Sequence, residues 1–131
     1  MREGLDELEE RTKQFAIQAI HLCTALERSP GLREVSWQLS SSAGSVAANH
    51  RAMRRARSTR EFMAKLQIVN EEVDETVLWL EISQALADPR PPEMSIALKE
   101  AIELRSIFAR ARRTARLRRL NEQIRKEELR Q

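Results

Sequence analysis

The stretch from Ser58 to Leu86, STREFMAKLQIVNEEVDETVLWLEISQAL, constrains the fold more than any other, because a helix start signal is followed by apolar residues on more than one face. Ser58 and, three residues later, Glu61 have the form of a capping box, in which each side chain accepts a hydrogen bond from the other's unpaired backbone N–H. Phe62, Leu66, Val69, Val73, Val77 and Leu80 then recur at spacings of three and four, which lines them along one side of a helix. Ile68, Trp79, Ile82 and Leu86 fall outside that stripe, and Glu71, Glu72, Asp74, Glu75 and Glu81 cover much of the remaining surface. A helix apolar on more than one side needs more than one neighbour.

Three further stripes supply those neighbours. Leu5, Leu8, Thr12, Phe15, Ala19, Leu22 and Leu26 alternate spacings of three and four, the period of antiparallel bundles, until Ser29-Pro30-Gly31 stops the helix. Leu32, Val35, Leu39, Ala43, Val46, His50 and Met53 trace a second helix, and Met94, Ala97, Leu98, Ala101, Leu104, Phe108, Ala111 and Ala115 a fourth, which begins after Asp88-Pro89-Arg90-Pro91-Pro92. Helices are therefore predicted over about 2–28, 32–56, 59–87 and 93–128. With 131 residues, 3 Gly, 4 Pro and no Tyr, the chain is one all-α domain spanning 1–131. Short connections make sequential helices antiparallel, giving an up-down-up-down four-helix bundle. The first three helices reach about 40 Å, and a continuous fourth to Gln131 about 58 Å, so roughly its last ten residues overhang.

The run VSWQLSSSAGSVAANHRAMRRARSTREFMAKLQIVNEEVDETVLWLEI resembles the core of the bacterial four-helix-bundle family named for proteins encoded in intervening sequences of large-subunit ribosomal RNA genes. Ser45-Val46-Ala47-Ala48-Asn49 and Glu61-Phe62-Met63-Ala64-Lys65-Leu66 carry the likeness most strongly; the outer helices share only the pattern. Many relatives have Ile or Tyr and then Glu soon after the Asn, where this chain has His50, Arg51 and Ala52. The resemblance implies a bundle that assembles into rings, commonly pentamers, with no catalytic activity. A related branch serves as accessory protein to the reverse transcriptase of diversity-generating retroelements, where a basic ring engages RNA and the enzyme.

Positive charge is concentrated in two places. Arg51, Arg54, Arg55, Arg57 and Arg60 surround the second connection, and Arg110, Arg112, Arg113, Arg116, Arg118 and Arg119 lie late in the fourth helix. The antiparallel topology brings Arg60 level with Arg119, making one pole basic and suited to RNA or DNA phosphates. Against this stands an ion-paired surface: Glu3, Asp6, Glu7, Glu9 and Glu10 fall at the same pole, and net charge is only +3.

Trp37, Gly44, Ala48, Ile68, Trp79, Ile82 and Leu86 are assigned to self-assembly, as apolar or small residues beyond the core stripes; burial under a tilted helix is the alternative. The tail around Leu117, Leu120 and Ile124, with Arg125, Lys126 and Arg130, offers an amphipathic arm for a partner helix, so a protein–protein adaptor is the rival function.

Enzyme chemistry finds little footing. Neither His21 nor His50 has Glu three residues before it, as di-metal bundles require, and the single Cys23 lies on an apolar stripe. No metal, no cofactor and no Gly-rich phosphate loop are implied. No apolar run approaches the length of a bilayer crossing and no signal peptide is evident, so the protein is expected in the cytoplasm without a membrane partner.

Overall fold

The computed structural model describes residues 2–131, with side chains from Gly4 onward; Glu3, one of the acids at the first helix, lies outside the described side chains. Four helices account for the regular structure: α1 (Arg2–Leu26), α2 (Arg33–Arg54), α3 (Thr59–Leu86) and α4 (Glu93–Arg130). Each lies within one or two residues of its expected bounds. The α1–α2 connection turns at Gly31, whose φ of +85° is costly for any residue with a Cβ. At α3, Ser58 Oγ accepts from Glu61 N at 3.0 Å, but only this half of the capping box forms. Glu61 turns its carboxylate toward Arg57, 4.0 Å away, instead of to the Ser58 N–H.

Neighbouring helices pack in chain order, α1 on α2, α2 on α3 and α3 on α4, while α1 meets α4 along a shorter seam. Three polar contacts set the antiparallel register. Cys23 Sγ donates to Ser36 O at 3.2 Å while Ser36 Oγ donates to Cys23 O at 3.1 Å, tying α1 to α2. Thr76 Oγ1 donates to Ser42 Oγ at 3.0 Å, a contact that needs the small residues of α2 to let α3 approach. Asn70 Nδ2 donates to Phe108 O at 3.2 Å, holding α4 to α3. The α1–α4 seam is bridged by Arg11, which forks onto both oxygens of Glu100 at 2.6 and 2.9 Å and reaches Glu103 at 3.0 Å.

The core follows the stripes read from the sequence, with Phe15, Leu39, Val46, Leu66, Val73, Leu80, Leu104 and Phe108 almost wholly enclosed. Burial on α4 ends at Phe108; Ala111, on the predicted stripe, is exposed, and beyond half-buried Ala115 every residue is exposed. The short seam with α1 leaves that level uncovered, and Leu5 at the start of α1 is exposed likewise. The result is an arm that continues as helix past the body of the bundle.

Candidate nucleic-acid interface

The two arginine clusters reach the same pole but divide between two faces. On the α1–α2 face, Arg54 sets a nitrogen 2.8 Å from Asp6 and another 3.6 Å from Glu9, and its side chain is only 18% exposed. Arg51 approaches Glu9 at 3.9 Å. Asp6 and Glu9 lie one turn apart on α1 and Arg51 and Arg54 one turn apart on α2, so antiparallel packing matches charge to charge. Here Arg54 is closely paired with acid, while Arg51, half exposed, meets Glu9 only at the outer limit of an ion pair.

On the α3–α4 face the outcome is different. Arg60, Met63, Ala64 and Gln67 from α3 oppose Arg112, Arg116, Arg119, Leu120 and Gln123 from α4 across an open groove of about 500 Å³. None of its four arginines has an ion pair among the described residues. Helical spacing explains the row on α4: positions 112, 116 and 119 fall on one side, rising about 6 and then about 4.5 Å along the axis. Arg110, Arg113 and Arg118 project from the other sides of α4 and are exposed. Arg55 is exposed at the end of α2, and Arg57, also exposed, shares Glu61 at 4.0 Å. One turn further from the pole the charge is balanced: Arg105 pairs with Asp74 at 3.2 Å, and Asn70, Glu71 and Arg112 complete that stretch.

Sequence reasoning missed the groove's polar and apolar lining, because Met63, Gln67 and Gln123 carry no charge signal of their own. Gln67 donates to Glu71 at 2.9 Å while lining the groove.

The residues assigned to self-assembly fall on two surfaces. Trp37 is 70% exposed, and Gly44 and Ala48 lie along a trough between α1 and α2 with Glu9, Lys13 and Arg51. A Cβ built at Gly44 would meet nothing within 4 Å, so no segment of this chain approaches the trough closely. Ile68, Trp79 and Ile82 are half-buried on α3 and Leu86 is exposed; Trp79 packs against the core and donates from Nε1 to Glu75 at 3.2 Å. Trp79 thus fits the tilted-neighbour alternative better than Trp37 does.

No cluster of three His, Cys, Asp or Glu side chains able to hold a metal occurs among the described residues. Burial pushes the Cys23 thiol up, keeping it protonated and hydrogen-bonded to Ser36. His50 is fully enclosed with both ring nitrogens unpartnered, against the Phe108 ring at a centroid distance of 5.6 Å. No helix among the described residues is long and apolar enough to cross a membrane.

The chain matches no family model and no curated protein. Among solved structures it is similar to a Bacteroides thetaiotaomicron protein of unknown function from the S23 ribosomal protein family, with a TM-score of 0.71 and 21% identity. The match covers 83% of this chain and 97% of the other. At that identity the likeness establishes the shared helical-bundle fold, and function has to be argued from the surfaces above.

Proposed function

We propose that the chain is a non-enzymatic, self-assembling cytoplasmic bundle that captures nucleic-acid backbone through the arginine groove between α3 and α4. The observation that carries this reading is that Arg60 faces Arg112, Arg116 and Arg119 across the groove and that none of the four has an ion pair among the described residues. Four like charges held together on rigid helices repel one another, and a polyanion relieves that repulsion while its condensed counterions are released. Guanidinium forks match phosphate oxygens in pairs, and the binding they give is tolerant of sequence and weakened by salt. The family resemblance adds an associational expectation of RNA, and of service beside a nucleic-acid enzyme such as a reverse transcriptase.

Self-assembly is supported by two exposed strips at matching heights. Counting along the helices from the Glu9–Arg51 and Ser42–Thr76 contacts sets Ile20 level with Leu78 and Lys13 level with Glu71. Ile20 and Leu78 are each exposed, as are Lys13 and Glu71. The strip with exposed Ile20 and Lys13 on α1 and Trp37 on α2 can therefore meet the outer side of α3, with Leu78, Ile82 and Glu71, on a second copy without axial displacement. With the bundle axes of successive copies parallel, such a head-to-tail contact has no rise and closes into a ring, of which a pentamer is one size. Light scattering is expected to give a mass several times the 15.2 kDa chain, reduced by Trp37→Asp; a wild-type monomer at micromolar concentration would remove this part of the reading.

For the groove, a mobility shift with RNA and DNA compares wild type with the Arg60→Glu, Arg112→Glu, Arg116→Glu, Arg119→Glu variant. Binding by wild type and its loss in the folded variant are expected; equal binding by both would sink the proposal. The adaptor reading keeps one observation in its favour, the exposure of Leu117, Leu120, Ile124 and Leu129 along the arm. A protein partner lost on truncation after Ala115, with no retention of wild type on heparin, would favour it.

A further inference from the structure

We infer that the nucleic acid this groove selects is a double helix rather than a single strand, an inference that rests on the phosphate-binding reading above. Proteins that hold single strands without sequence preference stack successive bases on aromatic side chains, each base contributing about 1–3 kcal/mol. The groove offers no such platform. Its walls are arginine, methionine, alanine, leucine and glutamine. The chain has no Tyr, and its 3 Phe and 2 Trp are placed elsewhere. Phe15 and Phe108 are buried, while Phe62 and Trp79 pack against the core. Trp37 is the exposed exception, and it sits in the second turn of α2, about 25 Å of helix from Arg54 and toward the opposite pole.

What the groove does offer is a fixed array. Arg60 and the row Arg112, Arg116 and Arg119 are held on two helices locked together by Asn70 and the Phe108 carbonyl. Helices fixed against each other set the spacing of these arginines, which suits phosphates that are already held in position. A flexible strand has to be ordered on binding, and with no aromatic ring to stack its bases and offset that entropy it is the weaker ligand. A duplex also presents one charge per roughly 1.7 Å of axis, the denser counterion atmosphere to release.

The test is fluorescence anisotropy of the full chain with labelled 20-base-pair DNA and RNA duplexes, the corresponding single strands, and an abasic single strand of equal length, from 50 to 200 mM salt. At least one duplex is expected to bind tenfold or more tighter than its single strand at 100 mM salt. Its log–log salt slope should be about −3.6 if four phosphates are neutralised. Removing the bases should leave the weak single-strand affinity unchanged. Single strands that bind as tightly as duplexes, or that lose affinity when abasic, would overturn the inference while leaving phosphate capture standing. Failure of every probe to bind at 50 mM salt would overturn both.

Discussion

Replacing His50 by Leu should stabilise the protein and remove part of its sensitivity to acid. The imidazole is fully enclosed between α2 and α4, with neither nitrogen hydrogen-bonded and the Phe108 ring against it. A neutral imidazole carries one donor and one acceptor, and leaving either buried without a partner costs about 1–3 kcal/mol. Leu has nearly the same volume and no polar atom, so a gain of about 1–2 kcal/mol at pH 8 is expected. Burial holds the His50 pKa below its ordinary value of 6.5, assisted by Arg54 and opposed by Glu9. The unfolded chain therefore takes up the proton first, and stability present above pH 6.5 is lost as pH falls below it. Wild type should therefore lose more stability than His50→Leu between pH 8 and pH 5.5. Glu72 acts in the opposite sense, since burial and its neighbours Glu75 and Glu71 raise its pKa, but both proteins carry it and the difference isolates His50. Urea unfolding followed by far-UV circular dichroism, at pH 8 and 5.5 and one protein concentration, measures the four stabilities. A His50→Leu protein no more stable than wild type at pH 8, with the same loss on acidification, would refute the reasoning.

Two other perturbations probe how the groove is held. Asn70→Ala removes the donor shared by the Leu66 and Phe108 carbonyls, at 3.0 and 3.2 Å, and should cost about 1 kcal/mol in urea unfolding, with faster amide exchange in α4 than in α1. Ser58→Ala removes the cap of α3 and should cost about 1 kcal/mol, the usual value for a lost N-cap, and Glu61→Gln much less because its carboxylate does not complete the box.

The helices were legible because their evidence is local. Spacings of three and four, Pro30-Gly31 and the proline run after Asp88 act within a turn or two, and the observed bounds depart from them only where the ends tighten or fray. The overhang was legible from length alone. What the sequence could not apportion was the basic pole, because pairing depends on which faces of different helices meet. Asp6 and Glu9 find Arg54 and Arg51, while Arg112, Arg116 and Arg119 of α4 turn toward the first turns of α3, which present Arg60. Glu100 and Glu103 likewise could not be linked to Arg11 before the α1–α4 seam was known. His50 reads as an ordinary member of the α2 stripe, and only the packing of Phe108 over it reveals that its nitrogens have no partner. Trp37 and Trp79, which look alike in the sequence, part company because α2's outer face is bare and α3's flank is partly covered.

The division of the arginines into a paired face and an open groove is what the functional account depends on, and it can be measured in one titration of a 20-base-pair duplex against three proteins at 100 mM salt. These are the wild type, the Arg51→Gln, Arg54→Gln variant, and the Arg112→Gln, Arg116→Gln variant. Losing two open-groove arginines should weaken binding at least tenfold and flatten the log–log salt slope by about 1.8, whereas losing the two already matched to Asp6 and Glu9 should change affinity less than threefold. Equal losses in the two variants, or a larger loss in the first, would contradict it.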